Sequence, residues 1–403
     1  MRETLPDLVV EREQEGKIVF LVLDGLGGLP HEETGLTELE AASTPNLDRL
    51  ARGSALGLIT PVAPGISPGS GPGHLALFGY DPIRYNIGRG VLSALGVDFH
   101  LEHGDLAARL NFATLDEDGK VVDRRAGRPP EEENARLVAK LREEVKGAGG
   151  VQVFWESEKE HRVVLVMRGA GLSAELEDTD PQQTGVPALP LRASSPEGER
   201  TARAVESVLE RAHQVLADEP VANGLLARGF ATFEPYPSME DRFGLRAVCI
   251  ARYPMYRGVS RLLGMDVAEP AETDAGSIDV LASELQDHDF AFVHFKYIDS
   301  RGEDGDFDAK VAAIEAVDEL IPGVEALEPA VIVATGDHST PSRMRAHSWH
   351  PVPLLLGSRW CRPVDVDGFG ERSCMRGELG TFEAKHLMTL ALAHAGRLSK
   401  YGA

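Results

Sequence analysis

The sequence predicts an α/β protein built on a central, mostly parallel sheet flanked by helices, with a smaller α+β domain inserted into it. Three apolar runs carry this expectation. Lys17 opens IVFLVL before Asp24 and Gly25, residues 290–295 read FAFVHF, and residues 330–335 read AVIVAT before Gly336. Continuous runs of β-branched and large apolar residues, closed by turn signals, are the pattern of strands buried on both faces, as parallel strands are. Helical spacing appears between them, at 44–52, where Thr44 precedes Pro45 as a candidate N-cap, and at 308–320, where Val311, Ile314, Val317 and Leu320 recur on one face. Strand and helix thus alternate at both ends of the chain.

The middle reads differently. Polar loops at 116–120, a proline-rich patch at 128–130 and a Ser/Pro/Glu stretch at 194–200 interrupt it. Helices are predicted at 131–145 and 199–216, and strands at 151–155 and 162–167. We assign residues 1–98 and 252–403 to a discontinuous core domain and 99–251 to the insertion. A length of 403 residues suits roughly two domains.

Composition narrows the function. With 41 Lys+Arg against 64 Asp+Glu the net charge is −23, a surface that repels nucleic acid and anionic lipid. An anionic small substrate would need a local arginine cluster to overcome that field. Cys249, Cys361 and Cys374 form no CxxC pair and no regular spacing, so neither a disulfide framework nor a zinc knuckle is expected. The N-terminal stretch is too charged for a signal peptide, and no apolar run reaches the roughly 18 residues that span a bilayer. The expectation is a cytoplasmic enzyme, a monomer or small homo-oligomer.

Each predicted strand delivers acidic groups to its carboxyl end: Asp24 after the first, Asp299 after the second, Asp337 and His338 after the third. Ligand sites of α/β sheets lie at that edge. Hard carboxylates combined with imidazoles, including His347 in HSWHPVPLLL, suit Mn²⁺, Mg²⁺ or Zn²⁺. Asp299 and Glu303 are four residues apart and share a face if the segment is helical. Ser70 lies in a Gly/Pro loop, GISPGSGPGH, where glycines let backbone amides approach a phosphate.

GSGPGHLALFGYDP, NIGRGVLSALGV, LNFATLDEDGKVVDRRAGR, DTDP, RGVSRLLGMDV, GDHSTPS and HSWHPVPLLL follow one another along nearly the whole chain. This series resembles the archaeal-type cofactor-independent phosphoglycerate mutases, a family of the alkaline phosphatase superfamily. The resemblance implies an alkaline phosphatase-like core and an inserted domain that holds the substrate, a small phosphorylated hydroxy acid. It also implies two divalent cations, with no 2,3-bisphosphoglycerate. By the same resemblance Ser70 is the nucleophile beside a metal held by Asp24, Asp337 and His338. A second metal falls to Asp299, Glu303 and His347, and Lys296 neutralises phosphate charge. Arg128, His161, Arg162 and Arg257 bind the substrate, chosen from a wider set that includes Arg109, Arg124, Arg125 and Arg261. Two departures touch the site: Glu303 stands where the family has histidine, and Gly71 where relatives commonly have aspartate. These also suit a divergent phosphatase or small-alcohol phosphotransferase.

Overall fold

The three apolar runs become neighbouring strands, Phe290–Phe295, Ile18–Leu23 and Val331–Thr335, buried along their whole lengths. They run parallel, with Leu23 opposite Phe295 and Val22 opposite Thr335, so all three end at one edge. This computed structural model describes residues 8–10, 16–85 and 87–402. The full sheet has eight strands, in the order Asp266–Val267, Ala247–Ile250, Phe290–Phe295, Ile18–Leu23, Val331–Thr335, Val352–Ser358, Ala55–Thr60 and Gly380–Glu383. Every pairing is parallel except the two made by Val352–Ser358.

That one reversed strand matters for function. Because Val352–Ser358 runs against its neighbours, it begins at the edge where they finish, and the turn preceding it carries His347 there. Ala55–Thr60 runs with the central strands and releases the chain at the same edge, toward Ser70. Helices Pro45–Ala51, Asp274–Glu284, Glu371–Met375 and Leu387–His394 pack on the sheet. The 44–52 expectation holds as Pro45–Ala51, with proline at the first turn, where its missing N–H costs nothing. The 308–320 expectation holds as Phe307–Asp318.

The chain divides into two compact units, Met1–Asn86 with Tyr236–Ala403, and Ile87–Pro235. The boundaries thus differ from 99–251 at both ends. Arg89–Gly96 packs on Leu106–Leu115 and Gly224–Thr232, which places it in the second unit. Ala247–Ile250 pairs in register with Phe290–Phe295, which places it in the first.

The second unit has an antiparallel sheet. Leu106–Leu115 lies between Arg162–Arg168 and Gly224–Thr232, with Val151–Ser157 beyond Arg162–Arg168. Period-2 alternation sends Leu106, Ala108, Leu110 and Phe112 into one apolar core with Val163, Leu165 and Met167. Helices Glu131–Glu144 and Glu199–Leu216 cover that face with Leu137, Leu141, Val205 and Val208. The intervening residues, among them Arg109, Asn111, Arg162 and Arg228, belong to the opposite face.

Trp155 is fully buried in this core, and its indole N–H donates to the Val145 carbonyl at 3.0 Å. Trp155→Ala removes the largest side chain of the cluster and should destabilise the second unit by about 3–5 kcal/mol. Urea denaturation followed by circular dichroism measures this. A loss below about 1 kcal/mol would show that the core does not depend on the ring.

Candidate functional site

Asp24, the residue after Leu23, is completely buried. Its Oδ2 accepts from the Tyr256 hydroxyl, from His294 Nε2 at 3.1 Å and from Lys296 Nζ at 3.1 Å. Its Oδ1 has no hydrogen-bond donor, although His338 Nε2 lies 3.4 Å away. Asp337 repeats the pattern: Oδ1 accepts from the Gly25 amide at 3.2 Å, while buried Oδ2 has no hydrogen-bond donor. His74 Nδ1 and His338 Nε2 each lie 3.2 Å from that oxygen. Burial alone would drive Asp24 toward its neutral acid. The His294 hydrogen bond and the charges of His294, His338 and Lys296 overcome it and hold the carboxyl well below the ordinary aspartate range. Asp337 is likewise lowered, with burial and the Asp24 charge opposing and His338 and His74 prevailing.

Hydrogen-bond chemistry assigns the histidine protons. The Thr340 hydroxyl donates its single proton to Asp299 Oδ1 at 2.7 Å, so toward His338 Nδ1, at 2.9 Å, it can only accept. His338 therefore carries a hydrogen on Nδ1. Its Nε2 faces Asp24, Asp337 and the Ser70 hydroxyl, the last at 3.3 Å. His347 obeys the same logic, since Nδ1 lies 2.9 Å from the Pro68 carbonyl, which only accepts. Its Nε2 faces Asp299 Oδ1 at 3.6 Å and Glu303 Oε1 at 3.7 Å.

Among the described residues, two groups have donor atoms close enough together to hold one cation: Asp24, Asp337 and His338, and Asp299, His338 and His347. The donors are oxygen and imidazole, the set that divalent Mn, Mg and Zn accept. His338 belongs to both groups, and its ring stacks on His347 with centroids 3.6 Å apart. Glu303 shares the helix Tyr297–Asp304 with Asp299, as the four-residue spacing implied, but its side chain is 54% exposed and lies at the rim. Of the two candidate histidines near the last long strand, His347 joins the cluster, whereas His350 turns to the Ser348 hydroxyl.

Ser70 is not in an open loop. It is the first residue of the helix Ser70–Leu77, held by His74 Nδ1 at 2.8 Å from its carbonyl. Gly73 lets this helix meet the third strand's loop, because a Cβ there would stand 2.4 Å from the Asp337 carbonyl. Lys296 binds Asp24 and Asp299 together, and these two carboxylates raise its ammonium pKa against the opposing effect of burial.

The second unit carries a pocket of about 310 Å³ lined by Arg109, Asn111, Arg124, Arg125, Arg128, Glu160, His161, Arg162 and Arg228. Arg109 sits directly across from Arg228 on the neighbouring strand, a like-charge pairing that destabilises a sheet. Burial pushes Arg109 down to about 10, and the buried Nε atoms of Arg109 and Arg228 lack hydrogen-bond partners. Burial also lowers His161 to about 4, reinforced by Arg162, so its ring is neutral at pH 7. Asp180 takes a two-pronged bond from Arg124, at 2.9 and 2.7 Å, and offsets part of the charge. Arg128 and the residues before it, Ala126 and Gly127, are all left-handed, a tight turn fixed by Asp123 accepting the Arg125 and Gly127 amides.

Arg128, His161 and Arg162 thus meet in one pocket. Arg257 is not among its lining residues; it belongs to the helix Pro254–Leu262 of the first unit, one position after Tyr256. Sequence reasoning missed Arg228, Asn111, His294 and Tyr256, and gave His74 no role. His294 carried a signal, being a polar residue inside the FAFVHF strand one position from its end. Tyr256 carried none.

Comparison with known proteins establishes the family. A family model described as 2,3-bisphosphoglycerate-independent phosphoglycerate mutase matches residues 51–222. A probable 2,3-bisphosphoglycerate-independent phosphoglycerate mutase of Thermus thermophilus is 53% identical over 390 residues, spanning 96% of either chain. One from Thermotoga maritima is 49% identical over 392 residues, spanning 97% of either chain. Among solved structures, the cofactor-independent phosphoglycerate mutase of Thermoplasma acidophilum has a TM-score of 0.77 at 31% identity, over 94% of this chain and 100% of that one. A protein from Pyrococcus horikoshii reaches a TM-score of 0.82 at 31% identity, over 96% and 100%. With identity near half sustained from end to end, the chain belongs to the family of 2,3-bisphosphoglycerate-independent phosphoglycerate mutases.

Proposed function

We propose that this protein interconverts 3-phosphoglycerate and 2-phosphoglycerate through a phosphoserine on Ser70. The observation that carries the reading is a serine hydroxyl 3.3 Å from His338 Nε2, among buried carboxylate oxygens that lack donors within the described residues. Asp24, Asp337 and His338 would hold one divalent cation, and Asp299, His347 and, at the rim, Glu303 a second. Mn²⁺, Mg²⁺ or Zn²⁺ there supplies Lewis-acid polarisation of the phosphate and lowers the pKa of the serine hydroxyl.

The protein's own groups do the rest. Ser70 Oγ attacks phosphorus in line as the substrate's alkoxide leaves, forming the Ser70–phosphate ester and free glycerate. Backbone amides at the start of the helix Ser70–Leu77 favour the transferred anion. Lys296, already held between Asp24 and Asp299, adds a fixed positive charge. The other glycerate hydroxyl then attacks phosphorus, the bond from phosphorus to Ser70 Oγ breaks, and the hydroxyl's proton ends on Ser70, just as the serine's own proton ended on the departing glycerate oxygen in the first transfer. No second phosphoglycerate is consumed, so 2,3-bisphosphoglycerate is not required.

Arg128, His161 and Arg162, with Arg109 and Arg228, would take an anionic group of the substrate. Guanidinium groups with unmet donors bind carboxylate or phosphate in two-pronged fashion. The like-charge pairing of Arg109 with Arg228 is relieved when such an anion sits between them. The phosphatase and small-alcohol alternatives lack an observation of their own: the relatives share the whole chain, and Glu303, which motivated those alternatives, stays within reach of His347.

An enolase-coupled assay with added Mn²⁺ and no bisphosphoglycerate should show mutase turnover that chelation abolishes. Ser70→Ala should lower kcat by at least about 10³-fold, since a nucleophile acts as a unit with its activating groups. Turnover unchanged by that substitution would overturn the nucleophile assignment.

His347→Ala should weaken Mn²⁺ binding by more than about 100-fold, whereas Glu303→Gln should weaken it by less than about 10-fold. Equilibrium dialysis reads both. Equal losses would place Glu303 on a par with His347 as a ligand.

His161 should titrate near 4 in the free protein, and a bound anion should raise that value by favouring the imidazolium. The sign also fixes stability: with the folded pKa depressed, the second unit loses stability as pH falls from about 6.5 toward 4. Proton NMR of the ring with and without 3-phosphoglycerate is the measurement. A titration unmoved by the ligand would remove this pocket from the substrate site.

A further inference from the structure

Lys310 is fully buried, yet no step above uses it. It lies on the helix Phe307–Asp318 at the start of the series Lys310, Ile314, Val317, a core-facing row where a lysine is out of place. Its ammonium donates to three backbone carbonyls: Gly25 at 2.9 Å, Gly27 at 3.1 Å and Thr340 at 2.8 Å. An ammonium has three protons, so its donors are fully used.

Those carbonyls come from the two loops that bear the first cation group. Gly25 follows Asp24, and its amide holds Asp337 Oδ1. Thr340 lies two residues past His338 and touches both His338 Nδ1 and Asp299 Oδ1 through its hydroxyl. The loops also meet directly, the Thr340 amide lying 3.2 Å from the Gly25 carbonyl and 3.1 Å from that of Gly27. Converging carbonyl dipoles repel one another, and the ammonium is the charge placed where they converge. The helix bearing Lys310 packs on Tyr297–Asp304, which carries Asp299. Buried Glu38 and Glu371 brace the same loops, Glu38 accepting from the Ser342 amide at 2.7 Å and Glu371 from the Gly28 amide at 3.0 Å.

We propose that Lys310 is a positioning residue for the cation cluster, fixing the Asp24 loop against the Asp337–Thr340 loop so that their donor atoms converge. The inference rests on the reading of those residues as cation ligands, and goes beyond it in naming what sets their spacing. A lysine that only filled the core would support folding without bearing on metal affinity.

The test is Mn²⁺ binding to wild type and to Lys310→Met, which keeps the apolar stem and removes the donors. Electron paramagnetic resonance of free Mn²⁺ reads affinity without turnover, and circular dichroism melting of the metal-free proteins reports the fold. Wild type should bind Mn²⁺, and the variant should bind about 10- to 100-fold more weakly. At saturating Mn²⁺ the variant's KM for 3-phosphoglycerate should stay within about threefold of wild type, the limited effect expected when the substrate-binding groups are untouched. Affinity within twofold of wild type in a folded variant would overturn the positioning role while leaving the metal reading intact. A wild type that binds no Mn²⁺ would overturn both. Should Lys310→Met fail to fold, Lys310→Gln keeps an amide donor pair without the charge. It should show a weakening of the same sign, and unchanged affinity there would likewise overturn the proposal.

Discussion

The organising constraint is the crowding of buried negative charge at one edge of a parallel sheet. Three adjacent strands end together, and each is followed by aspartate, Asp24, Asp299 and Asp337, all essentially inaccessible to water. Isolated carboxylates at such depth would abandon their charge. Here Asp24 keeps it through one well-supplied oxygen, served by Tyr256, His294 and Lys296, and Asp337 through the neighbouring His338 and His74, while its Oδ1 accepts from the Gly25 amide. For Asp24 and Asp337 the other oxygen is left without a donor. The supporting shell thus preserves ionisation and leaves coordinating atoms open, two demands that a fully satisfied network could not meet together.

The same constraint explains the surrounding architecture. A site at the carboxyl edge of parallel strands would ordinarily draw only on loops that follow strands. Reversal of Val352–Ser358 admits one that precedes a strand, and with it His347. The close meeting of loops then demands glycine at particular positions. Gly73 and Gly27 have no room for a Cβ against Asp337 and Ser339. Nor could the helix starting at Ser70 approach the Asp337 loop with a larger residue in place of Gly73.

Much of this was legible beforehand because it is local. Buried strands announce themselves as apolar runs, and the residue after such a run lies at the sheet edge by geometry alone, so Asp24, Asp299, Asp337 and His338 could be read directly. The Asp299 to Glu303 spacing likewise fixed a shared helical face. What stayed hidden is what tertiary packing decides. Tyr256 reaches Asp24 across 232 positions of sequence, and Lys310 reaches Gly25 across 285. Nothing near either residue indicates such a partner. The boundary between the two compact units differs from the expected 251/252 for a similar reason: Ala247–Ile250 is a short strand whose membership is set by its partner, Phe290–Phe295, and not by its own composition.

The arginine pocket shows the opposite balance, since its charge was visible in sequence while its tension was not. Alternation along Leu106–Leu115 sends apolar residues to the core and leaves Arg109 and Asn111 on the other face. Register then sets Arg109 against Arg228, an arrangement that a sheet selected for stability alone would avoid. In a chain of net charge −23, cations held together in this way have a use only if an anion comes to them. The unfavourable pairing and the acidic remainder of the protein are therefore complementary. The overall field disfavours polyanions, and under the proposed function the concentrated patch would take a small one whose negative groups fit within about 310 Å³. The pocket accordingly argues for a small anionic substrate independently of the candidate cation donors Asp24, Asp299, Asp337, His338 and His347, which belong to the other unit.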